Sequence, residues 1–227
     1  IIVALSRISM RLVNDVLETQ GGESAPYMAR PPRRNLAIFA IAAYSAGEFL
    51  LPGHAVAGWL ALAAAAAIAN LLNDWHVGRA LLQRWALIPY LVYVCMALGY
   101  ALIGLGRLSG MEMTSAGEHL LVVGALGLAV LIVMAVAGRM HSGWGLDHRG
   151  WLPLGALLFV LAALARAGSS TPFGAAAATA GLHAAATLWI AGWSIYLAYS
   201  LKPLSGPRPD DRGGCDEAAP VVEAATP

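Results

Sequence analysis

Thr179, His183 and Thr187 recur at four-residue intervals inside an apolar run from Phe173 to Leu201. That spacing puts them on one face of a helix, and Ser194 continues the stripe. A histidine at membrane depth is costly to place and marks function by default. A neutral imidazole is a common ligand for iron and copper, so the chemistry expected at His183 is metal or haem binding. A hydrogen bond to a neighbouring helix is the plainer alternative. The polar stripe is expected to face the interior of a helix bundle, because lipid offers its donors and acceptors nothing.

Other ligand types fall at helix ends. His119 opens an apolar run and has Glu118 beside it; His54 opens another, and Glu48 closes the one before. On the cytoplasmic side, Arg139-Met-His-Ser-Gly-Trp-Gly-Leu-Asp-His148-Arg-Gly150 is rich in ligand types but also in glycine. A flexible connection is expected there, with His148 the weakest metal candidate. Asn70-Leu-Leu-Asn-Asp-Trp-His76 reads as a polar helix end, with Trp75 as an interface anchor. Glycine-rich phosphate loops, serine elbows and Cys-x-x-Cys pairs do not occur, so soluble-type enzyme chemistry has no support.

These residues need elements to hold them. Six runs are long and apolar enough to read as membrane-spanning helices. They are Leu36–Leu51, Ala55–Leu72, Ala86–Leu105, His119–Gly138, Trp151–Ala167 and Ala175–Leu201. The chain is 59% hydrophobic and 12% charged, where soluble domains are nearer 25% charged. The fold class expected is all-α: a polytopic integral membrane bundle over residues 1–204, followed by a disordered tail over 205–227. Ile1 to Leu5 reads as the last turn of a helix that begins earlier, so the chain is expected to be a C-terminal piece. Pro31 and Pro32 are expected to interrupt any helix in the segment before the first span. A net charge of +1 gives no sign of a nucleic-acid partner. Cys95 and Cys215 suggest neither a disulfide framework nor a zinc site.

Arginine placement orients the bundle. Alternate polar segments carry twelve Lys and Arg residues, against Arg107 and Arg166 in the opposite set. The basic segments and the tail are therefore expected on the cytoplasmic side, where arginines also meet anionic lipid headgroups. His54, His119, His183, Glu48 and Glu118 are then expected to gather at the outer face. If the last span starts at Phe173, His183 lies about 15 Å down it. One haem shared by two of these imidazoles would need both at one depth.

The segment His119-Leu-Leu-Val-Val-Gly-Ala-Leu-Gly127, with Arg139 after it, resembles the His-x-Leu-Thr-x-Gly-Ala-x-Gly segment of the NnrS family. His183, Trp189, Tyr199, Pro203 and Pro207-Arg208-x-Asp210 resemble that family's closing pattern, and Ser6-Arg-Ile-Ser-Met-Arg-Leu-Val-Asn14 is loosely similar to its mid-chain Gly-Arg motif. Val122 stands where the family has threonine, and Asp147-His148-Arg149-Gly150 where it has Gly-His-Thr-Gly. The resemblance implies a bacterial inner-membrane protein that binds haem and copper and helps cells resist nitric oxide. It makes His119 and His183 the leading cofactor ligands, with His54, Glu48, Glu118 and His148 behind them. It also implies about six further helices before this chain, carrying a His-x-His-Glu motif that would complete the site. No reaction is implied. The rival readings are a cytochrome b-like electron-transfer subunit and a proton-coupled transporter using Glu48 and His183.

Overall fold

The computed structural model describes residues 1–19 and 26–209. Eight α-helices follow in order: α1 (Ile2–Thr19), α2 (Pro31–Leu50), α3 (Ala55–Leu72), α4 (Arg84–Ser109), α5 (Thr114–His119), α6 (Gly127–His141), α7 (Trp151–Ser169) and α8 (Ala178–Ser205). A π-helical segment, Leu120–Leu126, joins α5 to α6. Short 3-10 turns at Gly78–Leu82 and Pro172–Ala177 lead into α4 and α8. No strand occurs among the described residues.

Five helical stretches are long and apolar enough to cross a membrane. They are Ala55–Leu72, Arg84–Ser109, Thr114–His141, Trp151–Ser169 and Pro172–Ser205. The first expected span falls on α2 up to Leu50, a 20-residue helix outside this set; Arg33, Arg34 and Glu48 interrupt its apolar character. The prolines do not break α2. They occupy its first turn, where a missing N–H costs nothing. Nor does the first helix end at Leu5. Ile2, Leu5, Ser6, Ser9, Leu12, Val13, Val16 and Leu17 are buried at three- and four-residue steps, while Arg7, Arg11, Asp15 and Glu18 are exposed. That pattern carries α1 on to Thr19 as an amphipathic helix. Helix α8 runs to Ser205, and residues 210–227 of the expected tail lie outside the described residues.

Helix α4 is the hub. It packs against α1, α3, α5, the π segment, α6 and α7. Helix α8 lies at the rim on α7 and α6, with 6% of its apolar window buried against 56% for α4. In lipid the outward Phe39, Phe49, Ile190 and Leu201 are at home, and helices associate through close packing and polar contacts. Gly127 and Gly192 show the packing. A Cβ on either would meet the Phe159 ring at 2.9 Å, so the glycines make room for that fully buried ring. Trp189 and Trp193 meet it edge-on at 6.1 and 5.1 Å.

The basic side is held by clamps rather than left loose. Asn14 accepts from the Tyr27 N–H at 2.8 Å and donates to its carbonyl at 3.1 Å, tying α1 to the segment before α2. Burial pushes the Tyr27 phenol up to about 12, so it stays a protonated donor. Asp74, its side chain 1% exposed, accepts from Arg33 at 2.7 Å and from the Arg30 N–H at 3.0 Å. Trp75 is buried against Tyr27, Tyr90 and Tyr93 instead of anchoring at an interface.

Candidate cofactor site

His119 is the last residue of α5. Its Nδ1 lies 2.6 Å from the carbonyl oxygen of Ser115, one turn back. A carbonyl only accepts, so Nδ1 carries the proton and donates. In the neutral ring the other nitrogen, Nε2, then keeps its lone pair. This is the arrangement that orients a metal-ligating histidine, with a backbone carbonyl fixing tautomer and ring direction. The ring is partly exposed, so the lone pair has access.

Helix α5 owes its position to glycines. Gly117 lies against the backbone of α4, where a Cβ would stand 2.5 Å from the Gly99 carbonyl oxygen. No side chain fits there, and the two helices meet backbone to backbone. Gly110, with φ +72°, turns the chain out of α4 so that α5 can return along it. After His119 the helix widens into the π segment, in which Gly124 packs against Cys95 and Ala163. The segment from His119 to Gly127 singled out in the sequence is thus an irregular stretch of helix. Such stretches are frequent at functional sites.

The other candidates do other jobs. His54 caps α3: its Nδ1 accepts from the Val56 N–H at 3.2 Å, which leaves Nε2 protonated and unfit to ligate while the cap holds. Glu48 is ion-paired with Arg107 at 2.5 Å, joining α2 to α4. Glu48 Oε2 and Arg107 Nε are buried without partners among the described residues. Tyr44, one turn before Glu48, lies within electrostatic reach of Glu48, Arg107 and Glu118. Glu118 itself is exposed.

His183 is exposed on α8, as are Thr179, Thr187 and Ser194. The stripe faces outward, contrary to expectation. Helix α8 packs on α7 through Gly192, Trp193 and Tyr196. Helices α5 and α8 both pack on α7. No three His, Cys, Asp or Glu side chains come close enough to hold a metal ion among the described residues. Sharing one membrane face does not bring these groups into one cluster.

The loop before α7 is tied down by side-chain contacts. Asp147 accepts from Arg149 at 2.5 Å and from the Trp151 indole at 2.8 Å, and lies 3.4 Å from Arg139. The Arg149 guanidinium holds its carboxyl well below the usual carboxylate range. Arg149 also lies over the Tyr199 ring, 4.8 Å from its centre. The His148 carbonyl accepts from Arg84 at 2.6 Å and its ring stands edge-on to Trp85. His148 is built into this contact. Arg107 stood out in the sequence by its charge but not as the partner of Glu48, and Ser115 one turn before His119 did not stand out at all. The scarcity of basic residues on the Arg107 side and the i−4 spacing of Ser115 were their signals.

The profile described as NnrS protein matches residues 1–208. The chain belongs to the NnrS family. The match extends from α1 through α8, so the π segment, the Glu48–Arg107 pair and the Asp147 loop all lie within the NnrS region. No curated protein and no solved structure matches the chain.

Proposed function

We propose that this NnrS-family membrane protein binds haem or copper near the outer membrane face and serves in resistance to nitric oxide. The observation that carries the reading is the 2.6 Å contact between His119 Nδ1 and the Ser115 carbonyl, which leaves Nε2 as a ligand. The chain offers single imidazoles rather than a closed cage of three or more ligands. With that set, His119 would contribute one nitrogen ligand to a haem iron or copper ion whose other ligands lie elsewhere. When bound, haem or copper would supply a metal centre able to take a diatomic ligand such as nitric oxide.

The chain's own part is to hold the group. His119 presents Nε2, and α5 keeps the ring in place through the Gly117–Gly99 contact. His183, exposed on α8, would offer a further imidazole to a group outside the bundle. The Glu48–Arg107 pair keeps an acid and a base neutralised at the same end. The protein sits in the bacterial inner membrane with its basic segments inside, as twelve against two Lys and Arg residues support.

Absorption spectroscopy and metal analysis of the full-length protein test the reading. A Soret band that moves on adding nitric oxide, lost in His119→Ala, is expected. The absence of both a band and stoichiometric copper in the wild type would overturn it.

A further inference from the structure

Helix α8 joins two properties that a lipid-facing helix does not combine. Of the five membrane-crossing stretches it is the least covered, with 6% of its window buried against 39% or more in the others. It is also the least apolar, with a mean hydropathy of 1.3 against 1.7 to 2.9. Lipid contact rewards the opposite, because hydrocarbon offers a polar side chain no partner. The outward residues show where the polarity lies. Ala180, Ala184, Thr187, Ala191, Ser194 and Ala198 follow at alternating steps of four and three, and all but the partly buried Ala191 are exposed. The Thr187 and Ser194 hydroxyls make no hydrogen bond among the described residues, whereas Ser142, Ser170 and Ser205 each donate to a carbonyl one turn back. His183 borders the row and is exposed too.

We infer that this row is a contact face for the α8 of a second copy of the chain, parallel to it within the membrane. The spacing names the kind of occupant. A four-three repeat keeps one seam facing a neighbouring helix along its length, as in a left-handed pair. Small side chains let two such backbones approach closely in lipid. The chemistry names the occupant itself. The row carries no charge, so it requires no partner of opposite charge. A hydroxyl both donates and accepts, so a face of this kind satisfies a copy of itself. The Lys and Arg bias of twelve to two gives every copy the same orientation across the membrane. A two-fold axis along the membrane normal then sets Thr187 opposite Thr187 and Ser194 opposite Ser194, each pair at one depth. The packed side of α8, where Gly192 and Tyr196 meet Phe159 and Trp151 of α7, is left undisturbed. The contact requires the membrane but no cofactor.

Disulfide trapping of the full-length protein in native membranes tests this, on a Cys215→Ser background in which the buried Cys95 stays silent. Under a membrane-permeant oxidant, Thr187→Cys and Ser194→Cys are each expected to give a covalent dimer of the chain. Leu182 is also exposed but lies about 140° round the helix from Thr187, so Leu182→Cys is expected to give several-fold less. Adding Ala184→Leu puts a bulky side chain into the row and is expected to lower the Thr187→Cys dimer several-fold. On a face that meets only lipid the same change would leave trapping as it was, which overturns the inference. Equal trapping at positions 182, 187 and 194 marks random collision and overturns it too. No dimer at 187 and 194, or trapping there to a different protein, means that another helix covers the row and rules out the second copy.

Discussion

The Nδ1 of His119 and the carbonyl oxygen of Ser115 lie 2.6 Å apart across one turn of α5. The contact joins a ring to a backbone atom, so it survives any change of the Ser115 side chain. Ser115→Ala should therefore keep the full cofactor content, whereas His119→Ala should lose it. Cofactor stoichiometry in the two variants, purified side by side, checks the contrast.

His54 is predicted to matter for stability and not for ligation. Asn caps helices as well as any residue, so His54→Asn should leave both stability and cofactor intact. His54→Ala should cost about 1 kcal/mol with cofactor unchanged. Thermal unfolding in detergent reads the first and absorption the second. Cofactor loss in His54→Asn would restore His54 as a ligand.

Glu48 and Arg107 bind α2 to the hub helix by a charge-assisted contact. Removing either partner should cost about 1.5–3 kcal/mol. The double variant should cost less than the sum of the two, since each single change strands the other's charge. A double-mutant cycle on unfolding free energy checks this, and strict additivity would contradict it.

Five of the six apolar runs were legible because a bilayer demands length and composition, and both are written in the chain. The inner detail was less so. The expectation for His183 assumed that a polar stripe faces its own bundle, but the bulky Trp193 and Tyr196 took the packed side of α8. The role of His54 depended on a turn at Gly53, with φ +76°, which periodicity does not report. The π segment is not written in the apolar pattern, where Leu120–Leu126 reads as ordinary apolar helix. The loop at Asp147 read as loose because its partners, Arg139 and Trp151, belong to two different helices.

Asp147 gives a pH prediction with a definite sign. Its carboxyl is held below the usual range in the folded protein, chiefly by the hydrogen bond from Arg149. A depressed carboxylate contributes stability that is present above the unfolded-state value of about 3.9 and is lost as pH falls through the folded value. Melting temperature should thus drop between about pH 5 and lower values in the wild type. Asp147→Ala should cost about 3 kcal/mol near neutral pH and flatten that acid limb. An equally steep limb in the variant would place the effect on another group.

The central claim is that His119 holds the cofactor. The most direct measurement is the absorption spectrum and copper content of full-length wild type and His119→Ala, each before and after nitric oxide. The expected result is a band or copper signal in the wild type that responds to nitric oxide and is lost in the variant at normal expression. Full cofactor and an unchanged nitric oxide response in His119→Ala would contradict it.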